Sequence, residues 1–219
     1  MKFSVSEENY IKNIYHLQQA DGLVTTNALA DELHTKPASV TDMLKKLQQK
    51  KLLEYERYKG FFLNAAGTRV ALSIVRRHRL WEYFLVSKLG FEWDQVHPIA
   101  EELEHVSSDD LIQRLDSFLE HPQTDPHGDP IPDKNGKIPV IRQVSIDRVT
   151  LHKNVVVSSV RNQSPEMLEL LGHCHVGIGT ALQVNARFSF DGSIQIKIPK
   201  HAACTLSRQV AQNIFVYHD

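Results

Sequence analysis

Between His121 and Ile141 the chain gathers Pro122, Pro126, Gly128, Pro130, Pro132, Gly136 and Pro139. Proline lacks a backbone donor and glycine loosens the backbone, so this stretch reads as a linker or an irregular crossing segment. The hydrophobic pattern changes across it. Before it, apolar residues recur at helical spacing; after it they come in short β-rich runs. A chain divided in this way is expected to be α+β, with helices first and a sheet last.

The first third reads as three helices and a hairpin. Ser6 precedes Glu7 and Glu8 as an N-cap with first-turn acids, and Ile11, Ile14 and Tyr15 mark one apolar face. Asp21-Gly22 is a turn, and a short helix carries Ala28, Leu29 and Leu33. A third helix opens with Pro37 in its first turn and turns Val40, Leu44 and Leu47 inward. Leu52 to Leu63 then reads as two strands about Lys59-Gly60, and Asn64 can cap the helix that follows. Helix, turn, helix and two-stranded ribbon is the order of a winged helix-turn-helix.

The middle is helical. A long helix is expected from about Thr68 to Leu89, a second carries Val96, Ile99, Ala100, Leu103 and Val106, and a third carries Leu111, Ile112, Leu115, Phe118 and Leu119. Trp81, Tyr83, Phe84, Leu85 and Val86 exceed what one small domain must cover, and the excess points to a homodimer interface. Beyond Ile141, runs at 155–157, 180–184, 187–190, 193–198 and 214–217, a hairpin turn at Asp191-Gly192 and one short helix from Pro165 to Leu171 suggest a small β-barrel. The expected divisions are 1–67, 68–120, a connecting 121–141, and 142–219.

The net charge of −1 conceals two opposed segments. Lys36 to Arg79 holds eleven Lys and Arg against three acids, a net of +8. Leu80 to Pro130 holds twelve acids against two bases, a net of −10. The first can attract phosphate and the second cations. On the third helix Lys36, Ala38, Ser39, Asp42 and Lys46 face outward, short or polar near the N-terminal end, as a major-groove reader requires. Lys45, Lys50, Lys51, Arg57 and Lys59 are placed to meet phosphates of double-stranded DNA.

The sharpest pattern is histidine with carboxylate. His78 and Glu82 are four apart on one helix, His97 and Glu101 four apart on the next, and Glu104 with His105 extends that side. So many acids beside an apolar stripe would repel and desolvate unless a divalent cation compensated them. Nitrogen and oxygen donors without thiolate suit Mn²⁺ or Fe²⁺, although Zn²⁺, Co²⁺ or Ni²⁺ could substitute in vitro. No HExxH, no Gly-rich phosphate loop and no separate general base stands out, which argues against a metal-dependent hydrolase and against a small organic substrate. A winged-helix regulator with a purely structural metal is the other alternative. Cys174 and Cys204 are too few for a disulfide framework, and no apolar run reaches the roughly 20 residues a membrane helix needs. The expected compartment is the cytoplasm.

The stretches VRRHRLWEYFL from Val75, QVHPIAEELEHVSS from Gln95 and DPHGDPIP from Asp125 resemble the metal-dependent repressors that include the diphtheria toxin repressor and the manganese transport regulators. The resemblance implies a winged helix-turn-helix, a helical metal-binding and dimerisation domain, and an SH3-like, ferrous-transport-A-like C-terminal domain. It also implies a non-enzymatic repressor of metal-ion homeostasis, in which the metal is co-repressor and the dimer grips operator DNA. Carried over, His78, Glu82 and His97 match the family's ancillary site, and Glu104 and His105 its primary site. Glu101 stands where iron regulators have cysteine and manganese regulators glutamate. Asn9 stands where the family has Met or Asp, and offers either an amide oxygen to the metal or a cap to its own helix. Lys12 replaces a manganese-type Glu and cannot ligate while protonated. Ser158 and Arg161 stand near positions where some members donate Glu and Gln, so those ligands are expected to be missing. His173, Cys174 and His175 read as a turn before a strand.

Overall fold

The structure is a computed structural model describing residues 3–57 and 59–217. It divides into two compact units: residues 1–78, 101–112 and 132–137, and residues 79–100, 113–131 and 138–219.

In the first unit, α1 (Val5–Asp21) is capped by Ser4 rather than Ser6. The Ser4 hydroxyl accepts from the Glu7 N–H while the Glu7 carboxylate accepts from the Ser4 N–H, a reciprocal cap that outcompetes a serine already inside the first turn. Gly22, at φ +78, ends the helix. α2 (Thr26–Glu32) starts at Thr25, whose hydroxyl accepts from Ala28. α3 (Pro37–Gln49) begins with proline and buries Val40, Leu44 and Leu47. β1 (Leu53–Glu56) and β2 (Gly60–Leu63) pair antiparallel. A short bridge joins Val24 to Phe61. At Gly60 an added Cβ would lie 2.4 Å from the Val24 oxygen, so this close backbone approach requires glycine. Asn64 Oδ1 accepts from the Ala66 and Gly67 N–H groups and caps α4 (Ala65–Leu89).

α4, α5 (Val96–Val106) and α6 (Asp109–Phe118) each contribute residues to both units. In the second unit Leu85, Val96 and Ala100 form a small core with Trp81, Val86 and Ile99. Leu85 is therefore core rather than free interface, while Leu89, Phe91 and Phe118 remain exposed.

The second unit continues with β3 (Gln143–Ser145), β4 (Asn154–Val160), α7 (Pro165–His173), β5 (Ala181–Arg187), β6 (Ile194–Lys197), β7 (Cys204–Leu206), α8 (Arg208–Asn213) and β8 (Ile214–Tyr217). Ser164 caps α7, its hydroxyl accepting from the Met167 N–H. The six strands form one antiparallel sheet in the order β3-β8-β4-β5-β6-β7. The barrel expected from the pattern is thus an open sheet: its edge strands span three residues each, too few to supply a closing ladder. Val157, Leu171, Val184, Ile194, Ile196 and Ile214 are among its fully buried core residues. Residues 188–190 turn instead of extending, with Gly192 at φ +73 and Asp191 Oδ1 accepting from the N–H and hydroxyl of Ser193. Cys174 and Cys204 form a disulfide. The Pro/Gly-rich stretch is not a bare tether, since Asp125, His127 and Ile131 are buried.

Candidate metal centres and nucleic-acid interface

The first unit brings α1 and the C-terminal part of α5 together through charge. Glu101, Glu104 and His105 recur at i, i+3 and i+4 and share one face of α5. On α1, Lys12 stands four residues after Glu8 and three after Asn9, which puts these three on one side of that helix. His105 Nδ1 lies 2.7 Å from Glu8 Oε2, and Arg77 holds the other oxygen of Glu8, also at 2.7 Å. Glu8 can only accept, so the proton in this bond sits on Nδ1, and in the neutral ring Nε2 is the nitrogen with the free lone pair. Nε2 lies 3.5 Å from Glu104 Oε1 and 3.9 Å from Glu101 Oε1, buried and without a hydrogen-bond partner. The Oδ1 of Asn9 is buried and unpartnered as well. Asn9 therefore does not cap its helix; Ser4 does.

Glu104 is fully buried. Its Oε2 meets His78 Nδ1 at 2.6 Å, and its Oε1 accepts from Lys12 Nζ at 2.7 Å. Lys12 also donates to Glu101 Oε2. The ammonium thus partly neutralises the carboxylate pair that the sequence assigns to a cation. His78, Glu101 and Glu104 bring ligand atoms within 4.8 Å of one another, and His105 Nε2 lies beside both carboxylates, a donor set that fits a divalent ion; Asn9 Oδ1 is a further buried oxygen without a partner on α1. A carboxylate on the far nitrogen of a ligating histidine is the usual outer partner that fixes its tautomer. Glu8, which fills that place here, was not singled out from the sequence.

The second unit holds another set. Glu82 is almost fully buried, and His97, largely exposed, sets its Nδ1 3.3 Å from Glu82 Oε1. His127, also buried, donates from Nε2 to the Trp93 carbonyl at 2.9 Å, which again leaves Nδ1 bare. That nitrogen faces Glu82 Oε2 at 3.9 Å and Asp125 Oδ1 at 4.0 Å. Ligand atoms of Glu82, Asp125 and His127 lie within 4.8 Å of one another. Burial, with Asp129 and Glu82 as neighbouring acids, pushes the Asp125 carboxyl well above the usual carboxylate range, against the pull of Arg79 and the Asp129 N–H. Buried carboxyl groups beside a ring nitrogen without a hydrogen-bond partner fit a cation here too. The loop is fastened at its next residue: Gly128 has φ +85, and a Cβ there would lie 1.9 Å from the Ser158 oxygen. Asp125 and His127 fall in a family-like stretch of the sequence but carried no assigned role there; their spacing, two apart around a proline, was the available signal. Ser158 bonds Gln143 and Arg161 stacks over Phe215, so neither is presented to this set.

On the basic side Lys36, Ala38, Ser39, Asp42, Lys45 and Lys46 are exposed on or at the start of α3, as are Arg57 and Lys59 in the wing. Lys45 pairs with Asp42 at 3.2 Å, and Lys59 pairs with Glu56. Lys50 differs from the phosphate-facing expectation: it turns to Glu7 at 2.6 Å and lies over the Phe3 ring.

Two iron-dependent repressor models and a FeoA domain model match the chain in succession. The N-terminal DNA-binding domain matches residues 2–61, the metal-binding and dimerisation domain residues 64–133, and a FeoA domain residues 144–218. A relative from Listeria welshimeri, "HTH-type transcriptional regulator MntR", is 36% identical over 115 residues, 52% of this chain and 80% of that protein. The chain belongs to the iron-dependent repressor family. This is a family of DNA-binding transcriptional repressors, not of enzymes. The "Iron-dependent repressor IdeR" of Mycobacterium leprae is 28% identical over 220 residues, 95% of each chain. A solved "Manganese-dependent transcriptional repressor complex with manganese" superposes with a TM-score of 0.85 at 34% identity, covering 96% of this chain and 99% of that one. ScaR with bound Cd²⁺ gives 0.81 at 27% identity, covering 97% and 99%. No helix among the described residues is long and apolar enough to cross a membrane.

Proposed function

We propose that this chain is a metal-dependent repressor whose operator binding, as a homodimer, is switched on by Mn²⁺ or Fe²⁺. The observation that carries this reading is the bare, buried Nε2 of His105 beside Glu101 and Glu104, with Glu8 behind it. In the first unit Asn9, Glu101, Glu104 and His105 would hold the ion. In the second, Glu82, Asp125 and His127 would hold another, with His97 at its exposed side. Bound there, a divalent cation supplies the positive charge that the clustered carboxylates lack.

Glu8 keeps the His105 lone pair aimed inward, and Arg77 keeps Glu8 in place. Lys12 takes carboxylate lone pairs that a second ion in the first unit would need, which supports one ion there. Because Asn9 lies on α1 and the remaining donors on α5, ligation fixes the DNA-binding helices against α5. Co-repression then means tighter binding to the DNA-competent arrangement, a coupling of about 1–3 kcal/mol, and DNA raises metal affinity by the same factor. Lys36, Ala38, Ser39, Asp42 and Lys46 read the major groove while Lys45, Arg57 and Lys59 meet phosphates. Exposed Leu89, Phe91 and Phe118 support the dimer contact.

The test is operator affinity with and without Mn²⁺ or Fe²⁺, on wild type and on Glu104→Ala and His105→Ala. Metal-strengthened binding in the wild type and its loss in both variants is expected; equal affinities with and without metal reject the reading. Chelation separates co-repression from a purely structural metal, which would unfold the chain when removed.

A further inference from the structure

Besides the carboxylate set, the second unit carries four soft or borderline metal donors on two segments that meet, the one after α7 and the one leading into β7. Cys174 follows the last residue of α7, and Cys204 begins β7. They are joined with Cα atoms 6.0 Å apart. Beside that junction the rings of His175 and His201 meet, centroids 4.0 Å apart. Each segment therefore brings one sulfur and one imidazole: His175 adjoins Cys174, and His201 stands three residues before Cys204.

The backbone under these side chains is firmly held. The Cys174 N–H donates to Leu170, the His175 N–H to Gly172 and the His201 N–H to Ile198. Cys204 is in register with Ile196 in the sheet. Val176, which follows His175, and Ile196, which pairs with Cys204, are buried, as are Leu171 and Leu206 on the same segments. The donors themselves lie outward, the cysteines half-buried and the histidines exposed. A rigid frame with solvent-reachable donors is what a metal site needs in order to load.

We propose that, once reduced, Cys174, Cys204, His175 and His201 form a four-coordinate site for a thiolate-seeking divalent ion of the Zn²⁺ class, and that the disulfide is its closed state. Two sulfurs and two imidazoles are the donor set of tetrahedral zinc, unlike the carboxylate-rich sets of the other two centres. Zinc–sulfur bonds of about 2.3 Å place two ligating sulfurs about 3.8 Å apart, a separation that side-chain rotation at fixed backbone supplies. Opening needs a small-molecule thiol. Its thiolate attacks one cysteine sulfur, forms a mixed disulfide and expels the other cysteine as thiolate; a second thiol releases the first cysteine. Two electrons pass from the thiols, which leave as their own disulfide, to the protein sulfurs. The ion then takes both thiolates, and any thiol protons go to solvent.

The experiment uses the full chain, reduced with a small thiol, freed of it by anaerobic gel filtration, and titrated with Co²⁺. Thiolate-to-cobalt charge-transfer absorption in the near ultraviolet reports sulfur ligation only, so the two carboxylate centres are silent. A band that saturates, and that Zn²⁺ abolishes, is expected from the reduced protein, with none from the oxidised protein. Cys174→Ser with Cys204→Ser should lose the band, and His175→Ala with His201→Ala should weaken Co²⁺ binding about tenfold or more. Absence of the band from the reduced wild type overturns the site. A band of undiminished affinity in the double histidine variant overturns the imidazole ligands.

Discussion

The ammonium of Lys12 lies 2.7 Å from Glu104 Oε1, and the Glu104 side chain is inaccessible to solvent. A positive charge from α1 is thus inserted into the acidic face of α5. Lys12→Met removes that charge and leaves the buried Glu104 carboxylate with only the His78 ring as hydrogen-bond partner, a loss approaching about 3–5 kcal/mol in the metal-free chain. Denaturant unfolding with chelator and with Mn²⁺ checks it. The loss should be large under chelation and mostly recovered with metal; equal losses in both would mean that Lys12 and the ion act at different places.

Glu8 touches the proposed ion only through His105. Glu8→Gln weakens the grip on the ring and its tautomer, and metal affinity should fall about 10–100-fold. Calorimetric titration of a variant with unchanged circular dichroism measures this. An unaltered affinity would show that the Glu8–His105 bond leaves the metal indifferent.

The two units carry separate donor sets, so their ions should be removable one at a time. His127→Ala should lower the number of ions bound per chain while the site of Glu104 and His105 still fills; Glu104→Ala should do the converse. Equilibrium dialysis with elemental analysis counts them. Loss of all binding from either change would contradict independent centres.

Replacing Lys45 by Ala should weaken operator binding across sequences, and the slope of log affinity against log salt should shrink by about one unit for the phosphate that the ammonium no longer neutralises. Fluorescence anisotropy over a salt series reads the slope. An unchanged slope would place Lys45 away from the DNA backbone.

The N–H and hydroxyl of Ser193 hold the Asp191 carboxyl below the usual carboxylate range. A depressed native value stabilises the fold fully above the ordinary range and ceases to do so as pH falls through the lower value. Asp191→Asn should therefore lower Tm at neutral pH, with the gap closing in acid. A gap that persists in acid would assign the effect to shape rather than charge.

The helical order of the first third was legible because each element carries its own punctuation: Pro37 opens one helix, Asn64 caps another, and Lys59-Gly60 turns the ribbon. The α1 cap lies two residues before the expected Ser6, because only Ser4 has a glutamate three residues on to complete the reciprocal cap. β3 and β7 escaped notice because three residues hold too little alternation to register. Helical spacing disclosed Glu101, Glu104 and His105. It was silent about Glu8, whose partner lies 97 residues away, and about the pairing of His127 with Trp93, 34 residues apart.

Gly128 has a consequence for the second centre. Its missing side chain lets the backbone lie directly on Ser158 and Ser159 of β4, while the His127 carbonyl accepts from the Val160 N–H at 2.9 Å. Any larger residue at Gly128 would lever the imidazole away from Glu82, with Asp125 and His127 both intact in composition. The C-terminal sheet is in this sense an anvil for the histidine, and disturbance anywhere along β4 becomes a way of mistuning a metal site from behind.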